Sequence, residues 1–202
     1  CLGQARQIHA IPMKRFDEAL VAYLTLDEVQ ALLDAPGPGT ACGLRDRAIL
    51  YLTYSCGLRV GELVALRADQ FDGRQPACIH VDGKGRRQRV LPLWTETSVA
   101  IRNWLAVRRP DADPELFLNA AGRALTRSGV EYILARHVVA AAERQPSLAR
   151  KRVTPHVLRH SCAMHSLQAT GDIRKVALWL GHASIRSTEI YLRADPRELW
   201  MR

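Results

Sequence analysis

Between Thr154 and Tyr191 the chain gathers side chains of the kinds needed to attack a phosphodiester and hold the charge that develops. His156 and Arg159 are three residues apart, and His156 and His160 four, so on a helix all three share one face. His182 follows Leu180-Gly181, and Tyr191 comes nine residues after it. A phenol, with a reference pKa of about 10, is a weak nucleophile at neutral pH and needs neighbouring cations or a base. A guanidinium fork grips two phosphate oxygens and keeps its charge. An imidazole accepts and returns a proton near neutrality. Each residue also has an ordinary reading: paired structural histidines, a helix-capping cation at His182, a packed tyrosine at Tyr191.

Short, firmly capped elements must position these groups. Thr154 reads as an N-cap and Pro155 as the first residue of its helix, where a missing N–H costs nothing. Gly181 reads as the stop of the next helix, leaving His182 at its mouth, and Ser184 as the cap of a short helix carrying Tyr191. Upstream, Thr25-Leu26-Asp27-Glu28 forms a capping box for a helix through Leu33, closed by Pro36-Gly37-Pro38-Gly39. Leu44 to Cys56 has helical apolar spacing, with Gly57 as its stop; a helix from Val60 to Leu66 leaves Arg59 at the joint. Ala77–Val81 and Arg89–Leu93 predict a hairpin about Gly83-Lys84-Gly85, and Leu116–Leu118 a third small strand. Further helices are expected over Thr95–Arg108 and, capped by Thr126, Arg127–Glu143, then a basic loop from Gln145 to Arg152. Asp195-Pro196-Arg197-Glu198 reads as the start of a last helix. The expected fold class is mainly α with a small antiparallel β-sheet (α+β).

The His156–Tyr191 segment resembles the C-terminal motif box of the tyrosine recombinases, the phage integrase and Xer-like family. That box reads H-x-x-R-H, a hydrophobic helix ending L-G-H, and a nucleophilic tyrosine about nine residues on. Cys56-Gly57-Leu58-Arg59-Val60-Gly61-Glu62-Leu63 resembles the family's other box, an arginine after a helix-ending glycine. Gly83 to Leu93 resembles the hairpin that carries its catalytic lysine, and the three blocks stand in the family's order from about Thr25 onward. The resemblance implies that Tyr191 attacks the scissile phosphate while Arg59 and Arg159 clamp the pentacoordinate transition state. It implies His182 as a further donor, His156 as the group that takes and returns the Tyr191 proton, and Lys84 as the acid for the departing 5′ oxygen. Glu62 and His160 are supporting residues, His160 bracing the motif helix from behind. The product would be a 3′-phosphotyrosyl link and a free 5′-OH, so that a 5′-OH from a second strand can reverse the step. No metal, nucleotide or other cofactor is implied. Self-association on DNA, as a dimer or tetramer synapse of the full-length protein, is.

At 202 residues the chain is long enough to bury a sizeable core in one large domain. A net charge of +9 and a pI near 9.8 suit either a polyanionic partner or plain solubility. Lys84, Arg86, Arg87 and Arg89 cluster on one expected hairpin, which favours contact with the phosphate backbone of double-stranded DNA and binding that weakens with salt. Five cysteines without a C-x-x-C pair point to free thiols in a reducing compartment, and no eighteen-residue apolar stretch spans a membrane. A cytoplasmic, nucleoid-associated protein of bacterial or phage context is expected. The chain opens on Cys1 without a signal pattern. Residues 1–22 are mixed, basic and without clear period and read as a linker; the resemblance implies that it leads from an absent N-terminal core-binding domain and that residues 23–202 are the catalytic domain. Val157-Leu158-Arg159 separates His156 from His160 with no Glu after the first His, so the metalloprotease helix pattern fails. Two other readings stay open: a type IB topoisomerase-like or hairpin-forming relative, and a non-catalytic DNA-binding module on the same fold.

Overall fold

Side-chain caps open most of the helices in the computed structural model, which describes residues 22–83, 88–109, 113–182, 184 and 186–194. Helix α1 (Leu26–Leu33) starts at the expected capping box: Thr25 Oγ1 accepts from the Glu28 N–H at 3.2 Å, and Glu28 accepts from the Thr25 N–H at 2.8 Å. Helix α2 (Ala41–Ser55) begins three residues before the expected Leu44, because Thr40 Oγ1 caps the Gly43 N–H at 3.0 Å. Every α2 residue from Ala48 to Ser55 is buried, which makes it the central helix. Against it pack α1, the short α3 (Val60–Ala65), α4 (Thr95–Val107), α5 (Arg127–Ala142) and the motif helix α6 (Pro155–Thr170). Helices α7 (Ile173–Leu180) and α8 (Arg186–Ala194) pack on one another and on α6. Among the described residues the fold is mainly α with a small antiparallel sheet, as the sequence predicts.

The sheet has strands β1 (Phe71–Asp72), β2 (Cys78–Asp82) and β3 (Gln88–Pro92) in that order, with Ile79 opposite Leu91 and Val81 opposite Arg89. Ile79, Val81 and Leu91 are buried while His80 and Val90 face out, the period-two pattern of a sheet with one covered face. The third strand is therefore Phe71–Asp72 and not Leu116–Leu118. That apolar run is buried, but its backbone pairs otherwise: the Leu116 N–H donates to Leu66 O at 2.6 Å and Leu118 makes an isolated bridge to Ala124. Within the expected basic loop a 3₁₀ turn runs from Pro146 to Arg150, with Leu148 buried.

Two acidic groups are buried with partners. Asp46, 0% exposed, accepts from Arg45 and meets Arg136 and His137, which joins α2 to α5. Glu28 accepts from Ser147 and Lys151, each at 2.6 Å, so the cap of α1 also anchors the turn that leads into α6. The Leu24 N–H donates to Ser161 Oγ on α6 at 2.9 Å. Residues 1–21, Lys84–Arg87 at the expected hairpin turn, and Asp195–Glu198 at the expected last helix lie outside the described residues.

Candidate active site

Helix α2 ends at Cys56, and Gly57 takes φ +56° to turn the chain. A Cβ on Gly57 would lie 2.5 Å from a Leu180 methyl carbon, so the end of α7 packs where a side chain would otherwise stand. Arg59 is then the extended N-cap residue of α3, as the joint between the two helices predicts. Its own N–H donates to Glu62 at 3.0 Å, and its Nη1 donates to the other carboxylate oxygen at 2.9 Å. Arg89 on β3 donates to the same two oxygens, Nη1 at 3.2 Å and Nη2 at 3.0 Å. Burial alone would push the Glu62 carboxyl up, but the hydrogen bonds from Arg89 and the Arg59 backbone and the two cations hold it below its ordinary value.

Thr154 Oγ1 accepts from the Val157 N–H at 3.3 Å, and with Pro155 in the first turn this starts α6 where the sequence places it. Arg159, only 4% exposed, donates to the carbonyl of Gly57 and, at 2.8 Å, to that of Leu180. Those carbonyls lie at the C-terminal ends of α2 and α7, where the helix dipole favours a cation. Arg159 thus stitches the Gly57-Leu58-Arg59 turn to the Leu180-Gly181-His182 turn. Burial, and next the Arg59 charge, push it down to about 10.

Gly181 ends α7 in the left-handed conformation and sets His182 beyond it. His182 Nδ1 pairs with Thr188 Oγ1 of α8 at 2.7 Å. Burial, then Arg159, Arg59 and Arg89, push the imidazole down to about 4. Ser184 Oγ accepts from the Arg186 N–H at 3.3 Å at the start of α8. Tyr191 on that helix is 1% exposed, and its hydroxyl lies 2.8 Å from His160 Nδ1. Burial raises the phenol against the pull of Arg159 and Arg59, and burial lowers His160 with help from His156 and Arg159. The His160 tautomer sets which of the two groups donates in this hydrogen bond.

A cleft of about 1080 Å³ is lined by Arg59, Glu62, Arg89, Arg127, His156 and His182, among others. Asp82 at the end of β2, Gly83 after it and Gln88 at the start of β3 also border it. Neither Arg159 nor Tyr191 is among its lining residues. The structure thus brings Arg59, His156 and His182 to one cleft, links Arg159 to two of its turns, and sets His160 rather than His156 on the Tyr191 hydroxyl. Lys84, Arg86 and Arg87 lie outside the described residues. Arg89, expected from sequence as a DNA contact, is 14% exposed at its side chain and paired with Glu62. Among the described residues no three His, Cys, Asp or Glu side chains are placed to hold a metal ion. No described helix is long and apolar enough to cross a membrane.

Two participants escaped the sequence reading. Arg127 lines the cleft from the first residue of α5, with a nitrogen 2.9 Å from where a Cβ on Gly61 would be. Its signal was a cation at a helix N-terminus, where the dipole disfavours it. Thr188 is 0% exposed and precedes Tyr191 by three residues, one helical turn, which marks it as sharing that face.

The family model described as the phage integrase family matches residues 22–198. A tyrosine recombinase XerC of Chromobacterium violaceum is 39% identical over 184 residues, covering 91% of this chain and 59% of that protein. The crystal structure of XerA recombinase superposes with a TM-score of 0.76 at 30% identity, over 90% of this chain and 64% of that one. A XerH site-specific recombinase, in a post-cleavage complex with palindromic difH substrate, gives a TM-score of 0.79 at 25% identity, over 93% of this chain and 54% of that one. The chain spans about three-fifths of the length of the curated relatives it matches.

Proposed function

This chain belongs to the phage integrase family, and we propose that its site cleaves and rejoins DNA strands through a covalent 3′-phosphotyrosyl intermediate. The observation that carries this reading is the convergence of Arg59, His156 and His182 on one cleft, with Arg159 tied to the turns that bear two of them. A scissile phosphate in that cleft meets Arg59, which at 40% side-chain exposure can exchange its Glu62 partner for phosphate oxygens. His182, held neutral, adds a hydrogen bond without a second buried charge. Tyr191 must leave His160 for its oxygen to bond to phosphorus. As the P–O5′ bond breaks, His156 takes the phenol proton and Lys84 protonates the departing 5′ oxygen. The link keeps the energy of the broken ester, so a 5′-OH can reverse the step and exchange strands. XerH bound to its difH site supports double-stranded DNA as the partner. We further read Arg86 and Arg87 as backbone contacts, residues 1–22 as a linker to a preceding domain, and a dimer or tetramer as the assembly on DNA.

The test is covalent capture. A pool of nicked duplexes with a randomised core is incubated with the chain in EDTA, and DNA that stays attached after denaturation is sequenced to define the substrate. Wild type should form the adduct and Tyr191→Phe should bind the same DNA without forming it. Absence of adduct from wild type at DNA concentrations that saturate binding would leave only a DNA-binding module.

A further inference from the structure

Arg89 stands where three parts of the site meet. It projects from β3, its two Nη atoms grip both oxygens of Glu62 on α3, and its guanidinium lies flat against Gly181 at the end of α7. A Cβ on Gly181 would sit 2.8 Å from Nη1, 3.0 Å from Cζ and 3.1 Å from Nε, so the missing side chain of that glycine is the space the guanidinium occupies. The Arg89 and Glu62 side chains are only 14% and 8% exposed. Arg89 borders both the cleft that holds Arg59 and a second, mainly apolar cavity, so it forms part of the wall between them.

Glu62 is fully subscribed. Each carboxylate oxygen accepts one hydrogen bond from Arg59 and one from Arg89. Among the described residues, Arg59 and Arg89 are the cations on this buried carboxylate, so without Arg89, pulling Arg59 away to a phosphate would strand that charge. With Arg89 in place, Glu62 stays paired when the Arg59 guanidinium departs, and it still holds the Arg59 N–H. A phosphate seeking Arg89 would face the reverse problem, since it must break a desolvated two-point ion pair.

Building on the strand-cleavage reading above, we propose that Arg89 is a positioning residue: it holds Glu62 so that the Arg59 guanidinium is free to exchange onto the scissile phosphate. Arg89 is thus not a contact to the DNA backbone. The role is built into the β3–α3–α7 junction, and it explains why a glycine is needed at Gly181 beyond its left-handed backbone.

The experiment measures adduct formation and equilibrium binding on the captured nicked duplex for wild type, Arg89→Ala, Arg89→Lys, Glu62→Gln and the Arg89→Ala/Glu62→Gln pair. Arg89→Ala should lower the first-order rate at saturating DNA by about tenfold or more, with Kd within about twofold and an unchanged salt slope. The double variant should be faster than Arg89→Ala alone, because the Glu62 carboxylate that captures Arg59 is gone. If Arg89→Ala does not fold, Arg89→Lys carries the test, since it keeps the charge but loses the two-point grip; a lowered rate with normal Kd supports the role. Three results would overturn it: a salt slope smaller by about one with an unchanged saturated rate, which marks a phosphate contact; a double variant no faster than the single one; or wild-type kinetics from whichever single variant is read. Failure of wild type to form any adduct would instead overturn the strand-cleavage reading, and the positioning role with it.

Discussion

Lowering the pH from 7 to 5 should destabilise this chain through His182, and replacing that residue should remove the effect. The imidazole sits beside Thr188 in a field set by burial, Arg159, Arg59 and Arg89, and is pushed from 6.5 down to about 4. A base with a depressed folded-state pKa binds its proton first in the unfolded chain. Stability is therefore complete above about pH 6.5 and is lost as the pH falls towards 4. Linkage between those two values gives a loss of about 2 kcal/mol by pH 5. His182 keeps partial solvent access, so screening lowers this to about 1 to 2 kcal/mol. With a urea m-value of about 2 kcal/mol/M, the midpoint moves down by about 0.5 to 1 M. Urea unfolding of wild type and His182→Asn at pH 7 and pH 5 isolates the effect. His160 and His165, which burial also lowers, are present in both proteins and cancel in the comparison. Parallel losses in the two proteins, within about 0.3 kcal/mol, would refute the argument that the cation cluster and burial keep His182 neutral.

Gly181→Ala places a Cβ at φ +62° and against the Arg89 guanidinium; backbone strain of about 1 to 2 kcal/mol should lower the melting temperature by about 3 to 6 °C, checked by calorimetry. Asp46→Asn leaves Arg45 and Arg136 without their buried carboxylate and should cost about 3 to 5 kcal/mol in urea unfolding. Burial would raise Asp46, but His137 and Arg45 outweigh it, so the wild-type contribution is present above the ordinary carboxylate range and fades as acid protonates the group; the variant should lack that acid-dependent loss. Arg159→Met should change stability little. Removing a cation whose burial costs about 3 kcal/mol offsets two stranded carbonyls at about 1 to 3 kcal/mol each. The same variant should form no detectable adduct on the captured duplex, which, with stability unchanged, would support the clamp role that the resemblance implies for Arg159.

Local signals in the sequence determined a good deal: the Thr25 capping box, the Pro155 start, the glycine stops and the helix face shared by His156, Arg159 and His160. These depend on backbone hydrogen bonds and side chains three or four residues apart, so the chain encodes them wherever the segment ends up. The start of α2 was missed because Thr40 follows a Pro-Gly run that reads as loop, although its hydroxyl caps the helix. Leu116–Leu118 was misread because buried apolar runs look alike whether their backbone joins a sheet or pairs with a loop. Tertiary structure alone decided the pairings across long separations. Tyr191 rests on His160 because α8 docks on α6, and Arg159 spans the Gly57 and Leu180 turns because α6 lies between them. Arg89 looked like one of four hairpin cations until the fold set Glu62 and the bare face of Gly181 beside it. Spacing along the chain shows which groups share an element; only packing brings a strand arginine, a helix glutamate and a turn glycine within hydrogen-bond reach.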